Sequence, residues 1–137
     1  IFVPIDAEHA LDNEPAAING DGGQLYVVAG ARRGGWLLVP EQGSERVGVR
    51  AVDGWGGSLA PSATWRATAA GWSLTASVPL GNGGADVAVD VVINETAPGR
   101  ARRRGQLVLS GAAGEFVYLL GDRHDSGRLL RFTVSDA

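Results

Sequence analysis

The stretch Gly71-Trp72-Ser73-Leu74-Thr75-Ala76-Ser77-Val78-Pro79-Leu80 decides how this chain folds. Trp72, Leu74, Ala76 and Val78 fall on one side, and Ser73, Thr75 and Ser77 on the other. Side chains on a strand alternate across the sheet, so this is a strand with one apolar and one wetted face. Pro79 has no N–H to give to a ladder, so the strand is expected to stop or meet a sheet edge there. The same period returns elsewhere. Val47, Val49 and Ala51 oppose Gly48 and Arg50. Val87, Val89, Val91 and Ile93 oppose a face that carries Asp90 and Asn94, and that strand is expected to be central.

Outward from these segments, 21 glycines and 6 prolines punctuate short apolar stretches, the pattern of many strands and many turns. Strands are expected at Phe2–Ile5, Gln24–Ala29, Gly35–Pro40, Arg46–Val52, Thr64–Thr68, Gly71–Val78, Asp86–Asn94, Gln106–Ser110, Glu115–Leu120 and Leu129–Val134. No segment has a helical period, and there is no internal repeat. The expected fold is all-β: a two-sheet antiparallel β-sandwich of immunoglobulin or jelly-roll type, formed by residues 1–137 as one domain. The chain opens on Ile1-Phe2-Val3 in a strand pattern, as a mature or excised piece of a larger or exported protein would.

Composition excludes several function classes. Apolar content of 45% excludes general disorder, and no apolar run is long enough to span a bilayer as a helix. The net charge is -3, and all 12 basic residues are arginine. A nucleic-acid binder needs a basic surface, so none is expected as a partner. The chain has no cysteine, so disulfides, zinc thiolate sites and thiol nucleophiles are absent.

Four groups of residues carry candidate chemistry. The acidic segment after the first strand holds Asp6, Glu8, Asp12, Asn13, Glu14 and Asp21. Calcium takes six to eight oxygen ligands, so Asp6, Asp12, Glu14 and Asp21 are candidate ligands of a structural calcium; the alternative is a solvated acidic loop. Trp55 lies among glycines in Asp53-Gly54-Trp55-Gly56-Gly57. It is either an exposed plate on which a sugar ring stacks or a cap folded back over the sandwich end. Trp36, Trp65 and Trp72 lie inside strand patterns and are expected in the core.

Asn94 and Glu95, followed by Arg100, Arg102, Arg103 and Arg104 and then Gln106, form a polar constellation at a strand mouth. Arginine presents a planar fork of donors that suits hydroxyl pairs and carboxylates. The alternative is a solvated arginine-rich loop with weak local ion pairs. The last group is Asp122-Arg123-His124-Asp125. No second nearby histidine and no G-x-S-x-G elbow accompany it, so a solvated turn is preferred over a hydrolytic site.

Three segments in order resemble the family 9 carbohydrate-binding modules and their DOMON-like relatives. Gly71-Trp72 through Pro79-Leu80 is similar to the family's G-aromatic-x-x-E-A-x-I-P strand, with Thr75 in place of glutamate. The run from Asp86 to Glu95 resembles the G-F-D-V-x-V-N-D strand, with Glu95 for aspartate, and the arginine that follows in the family corresponds to one of Arg102 to Arg104, with Arg103 preferred. Asn19 to Val27 resembles G-D-x-V-E-L-Y-V, with Gln24 for glutamate.

The resemblance implies a β-sandwich, structural calcium, and sugar held between two aromatic rings, usually in secreted polysaccharide-degrading enzymes. Leu109 stands where the family has a tryptophan, so the second ring is expected from Phe116 or Tyr118. The haem-binding branch uses methionine with lysine or histidine; this chain has no methionine and no lysine, so no haem is expected.

The function expected is a non-catalytic carbohydrate-binding or accessory module of a polysaccharide-acting protein, secreted or periplasmic and of bacterial type. Trp55 with Phe116 or Tyr118 would stack on the sugar, and Asn94, Glu95, Arg103 and Gln106 would give polar contacts. Its partner is a carbohydrate or a covalently linked catalytic domain. The first alternative is a purely structural sandwich packed on such a domain. The last is a small hydrolase or lyase using Asp122, Arg123 and His124.

Overall fold

The computed structural model describes residues 2–8, 11, 13, 21–52, 54–55, 58–81, 86–96, 103–109 and 129–133, with 95–96 and 103–108 by their backbone alone. Among them run β1 (Phe2–Ala7), β2 (Gly22–Ala29), β3 (Arg32–Pro40), β4 (Val47–Ala51), β5 (Ser62–Ala67), β6 (Trp72–Ser77), β7 (Asp86–Thr96), β8 (Arg103–Val108) and β9 (Leu130–Thr133). Each overlaps an expected strand, although β8 begins at Arg103, three residues ahead of the expected Gln106. The remaining expectation, at Glu115–Leu120, lies outside the described residues.

Every pairing is antiparallel. A three-stranded sheet has the order β1-β6-β5. A six-stranded sheet has the order β4-β3-β2-β7-β8, with β9 also on β7. β8 registers against residues 92–96 and β9 against residues 86–89, so they share the β7 edge that β2 does not use. β7 is central, as its unbroken valine pattern predicts. β3 starts three residues before the expected Gly35, because pairing begins at the turn rather than where side chains begin to alternate. The β2–β3 ladder closes at Ala29 and Arg32 around Gly30, whose φ is 62°. A glycine in the first of two loop positions is the signature of a type II′ hairpin.

The two sheets stack through their apolar sides. Ile5, Trp72, Leu74 and Ala76 of the smaller sheet pack with Leu25, Val27, Trp36, Leu38, Val87 and Val89 of the larger one. Trp72, Leu74 and Ala76 are buried, and Ser73, Thr75 and Ser77 are not. Trp36 and Trp72 are core residues as expected; Trp65 is only half-buried.

The outer face of the larger sheet departs from the alternation rule. Asp90 and Asn94 lie on the face opposite the core, yet both are fully buried. A second apolar layer of Val52, Trp55 and Leu129 packs there with Tyr26, Ala88 and Val92. Buried polar groups need partners. The Tyr26 hydroxyl donates to Gln24 Oε1 at 2.6 Å, and the Val91 N–H donates to Asp90 Oδ1 at 2.9 Å. β4 departs in the other direction: as an edge strand it leaves Val49 exposed despite an alternating sequence.

Gly34 shows how tightly the inner face is packed. The Trp36 ring folds back over it, two residues along the same face, and a Cβ at position 34 would fall inside the ring's van der Waals envelope. Trp36 is itself buried in the core between the sheets. Gly34→Ala is therefore expected to cost about 1–3 kcal/mol through overpacking, read as a lower midpoint in urea with an unchanged slope.

Candidate functional site

β5 is the edge strand of the smaller sheet, so Trp65 has a strand neighbour on one side and only the segment between β3 and β4, bridged at Arg46 and Thr64, on the other. The local sequence makes this sharper: the inward neighbours of Trp65 along β5 are Ala63 and Ala67, both small. The ring is held by its rim. Trp65 Nε1–H donates to the Glu41 carbonyl at 3.0 Å, and the Trp65 N–H donates to the Glu45 carbonyl at 3.0 Å. Both acceptors belong to the turn between β3 and β4. That turn closes through Glu41 N–H to the Arg46 carbonyl at 2.9 Å and passes Gly43, whose φ of 84° favours glycine. An exposed Arg46–Glu41 ion pair spans it at 3.2 Å.

Across from this turn, β5 and β6 are joined by a second one. The Thr68 N–H donates to the Gly71 carbonyl at 2.9 Å, and the Gly71 N–H donates to Thr68 Oγ1 at 2.9 Å. Between the two turns lies a groove of about 430 Å³, walled by Leu11, Gln42, Gly43, Trp65 and residues 67–71. Its wall mixes a half-buried indole with an amide, a hydroxyl and main-chain groups. No ionisable side chain lines it among the described residues. Such a wall offers an apolar ring face together with hydrogen-bonding groups.

Gln42 is tethered from behind. Its Nε2 donates to the Asn13 carbonyl at 2.7 Å and to Asn13 Oδ1 at 3.3 Å. Asn13 is buried, and its Nδ2 donates to the carbonyls of Pro40 at 2.8 Å and Asp21 at 3.3 Å. A polar groove of about 260 Å³, lined by Glu45, Thr64, Arg66, Ser73 and Thr75 along with Trp65, lies on the wetted face of the smaller sheet.

The residues expected to bind sugar fare differently. Trp55 is only 3% exposed, so it offers no plate; it is the folded-back cap. Its ring meets Tyr26 edge-on at a centroid distance of 4.7 Å, and the Arg33 guanidinium lies 5.6 Å from its centroid. Asn94 is buried at the far end of β7, opposite Gly22 and Gln106. The backbone does bring Asn94, Glu95, Arg103 and Gln106 together, with Glu95 opposite Gly105 and Thr96 opposite Arg103 at a register shift. That end stands four residues, about 13 Å, along β7 from Asp90, the neighbour of Tyr26 beneath Trp55. Phe116 and Tyr118 lie outside the described residues, as do Asp122, Arg123 and His124.

Of the calcium candidates, Asp6 is exposed on β1 opposite Ser73, and Asp21 is buried just before β2. Asp12 and Glu14 lie outside the described residues. Among the described residues no three histidine, cysteine or acidic side chains gather as a metal site. Trp65 and Gln42 are the site residues that sequence reasoning missed. The signal for Trp65 was present: small residues two positions away on both sides, and a turn-rich Ala69-Ala70-Gly71 directly after its strand. Comparison with protein-family profiles, curated proteins and solved structures gives no match.

Proposed function

We propose that this chain is a non-catalytic carbohydrate-binding accessory module, in which the sugar stacks on Trp65 rather than on Trp55. The observation that carries this reading is the Trp65 groove: a half-buried indole beside an amide and a hydroxyl, in a cleft of ligand size. A pyranose has one face of C–H groups and a rim of hydroxyls, and an indole flanked by hydrogen-bonding groups matches both parts. The resemblance to family 9 modules supports the function class alone, since the residues it implies for the sugar are not those of the Trp65 groove; a secreted or periplasmic polysaccharide-acting protein is the setting it implies.

The test is affinity electrophoresis through gels containing neutral polysaccharides, with Trp65→Ala beside the unaltered domain. Stacking that buries about 80 Å² of ring, at about 25 cal/mol per Å², contributes about 2 kcal/mol, roughly thirtyfold in Kd. Retardation of the unaltered domain and its loss in Trp65→Ala are expected.

If no glycan retards the unaltered domain at millimolar sugar, the second reading takes over: a structural sandwich packed on a catalytic partner. One observation favours it. A groove of about 370 Å³ with an entirely apolar lining opens between β1 and β7. Phe2, Leu109 and Phe132 stand at it 79%, 55% and 53% exposed, an apolar patch of the kind that marks interaction surfaces.

A further inference from the structure

The carbohydrate reading leaves open which sugars the groove prefers and which polar group chooses them. The geometry points to a neutral glycan selected by Gln42, with Asn13 as the residue that positions the Gln42 amide. This inference rests on the binding reading above and goes beyond it.

The first part follows from charge. The Trp65 groove is walled by Leu11, Gln42, Gly43, Trp65 and the turn 67–71, none of them ionisable. The ion pair nearby, Arg46 with Glu41, is already made. A uronate or sulfated sugar placed in this groove would lose solvation without meeting an opposite charge among the described residues that wall it, which is costly. A neutral sugar exchanges its water contacts for hydroxyl and amide contacts at little penalty.

The second part follows from the hydrogen-bond chain behind the groove. A primary amide offers two donors on nitrogen and two acceptor sites on oxygen. The Gln42 nitrogen is committed to Asn13, at 2.7 Å to its carbonyl and 3.3 Å to its Oδ1. Gln42 therefore presents its carbonyl oxygen as an acceptor and discriminates in favour of hydroxyl donors. The long, exposed side chain is fixed in advance, so less conformational freedom is lost on binding. Asn13 can hold it because Asn13 is itself anchored, through Nδ2 to the carbonyls of Pro40 and Asp21. Asn13 never touches the sugar; it acts through Gln42.

The experiment is isothermal titration of the intact domain with neutral hexose oligosaccharides and with oligouronates of equal length, at 50 and 500 mM NaCl. The expected result is binding of the neutral series with a Kd that salt leaves within twofold, and weaker or absent binding of the uronates. Gln42→Ala should weaken the neutral series about three- to tenfold, the scale of one hydrogen bond, with a modest fall in Tm because the Asn13 carbonyl and Oδ1 lose their donor. Asn13→Ala removes buried hydrogen bonds and is expected to lower Tm. Its diagnostic readout is selectivity: the ranking among neutral sugars should shift toward that of Gln42→Ala. In the double variant the two effects on Kd should not add.

Outcomes separate cleanly. A preference for uronates, or neutral binding that is lost in Trp65→Ala but untouched in Gln42→Ala, overturns this inference and leaves the module reading standing. Additive effects of the two variants overturn the positioning role of Asn13. Failure of the unaltered domain to bind any sugar in either series overturns the module reading itself.

Discussion

Trp55→Ala is expected to lower the stability of the domain by about 3–5 kcal/mol and to leave sugar affinity unchanged. Trp55 is buried on three sides that can be named. Tyr26 meets it edge-on at 4.7 Å between centroids. The Arg33 guanidinium lies 5.6 Å from the ring centroid and donates to the Gly54 carbonyl at 2.8 Å, so one arginine both covers the ring and ties its loop down. Beneath it is Gly35, where a Cβ would stand 2.9 Å from Trp55 Cγ and 2.8 Å from Tyr26 Cδ1. The bare backbone at position 35 is the seat in which the indole rests. Removing the ring strips cover from Tyr26 and from the buried polar groups around it, Gln24 and Asp90.

Two measurements check this. Thermal unfolding should show Tm lowered by about 10 °C or more, on the scale of a few degrees per kcal/mol for a domain of this size. Titration with neutral oligosaccharide at a temperature where the variant is still folded should give the Kd of the unaltered domain. A ring that served as an exposed plate would show the reverse: an unmoved Tm and a lost affinity. That result would return Trp55 to the binding site and displace Trp65.

The contrast between these two tryptophans explains what the sequence could and could not reveal. Local period sufficed for the strands, because alternation is imposed by backbone geometry within a few residues. Ser73, Thr75 and Ser77 against Trp72, Leu74 and Ala76 needed no knowledge of what packs above them. Burial of Trp55 is a different kind of fact. It depends on Gly35, 20 positions away, having no side chain, and on Arg33 reaching from β3 to the Gly54 carbonyl and the Trp55 ring. Its glycine-rich neighbours gave no hint of either.

Asp90 and Asn94 fail the alternation rule for the same reason. A polar residue on a strand reads as a wetted position, but Val52, Trp55 and Leu129 arrive from remote segments and pack on that face with Tyr26, Ala88 and Val92. Trp65 fails in the opposite sense. An apolar residue in a strand reads as core, yet the position of β5 at a sheet edge leaves the ring half open. Strand order is a non-local property, and the choice between edge and centre decides whether a large ring is filler or contact surface. The Gln42–Asn13 tether spans 29 positions and was legible from neither partner.

Trp72→Ala is expected to damage the fold as severely as the loss of Trp55, by about 3–5 kcal/mol, through the opposite face of the sandwich. Trp72 is 1% exposed and is among the largest fully buried side chains described. Its cross-strand partners in the smaller sheet are Ala7 on β1 and Ala67 on β5, so one row of that sheet reads small, large, small. The indole fills the space that both alanines leave empty. After substitution the row would be three alanines wide. Collapse of the surroundings is what reduces the penalty in lenient sites, and here the surroundings are a strand ladder on both sides.

The loss falls on the contact that joins the sheets, since Trp72, Leu74 and Ala76 are the central strand's whole contribution to the shared core. A domain with about 5–15 kcal/mol in total keeps only a thin margin after such a change. Urea unfolding should show a midpoint reduced by a third or more. Trp72→Phe, which restores most of the volume, should recover more than half of the loss. A Trp72→Ala midpoint within about 0.5 M of the unaltered domain would mean that the smaller sheet is not held through this row, and the packing assigned to the opening stretch would have to be abandoned.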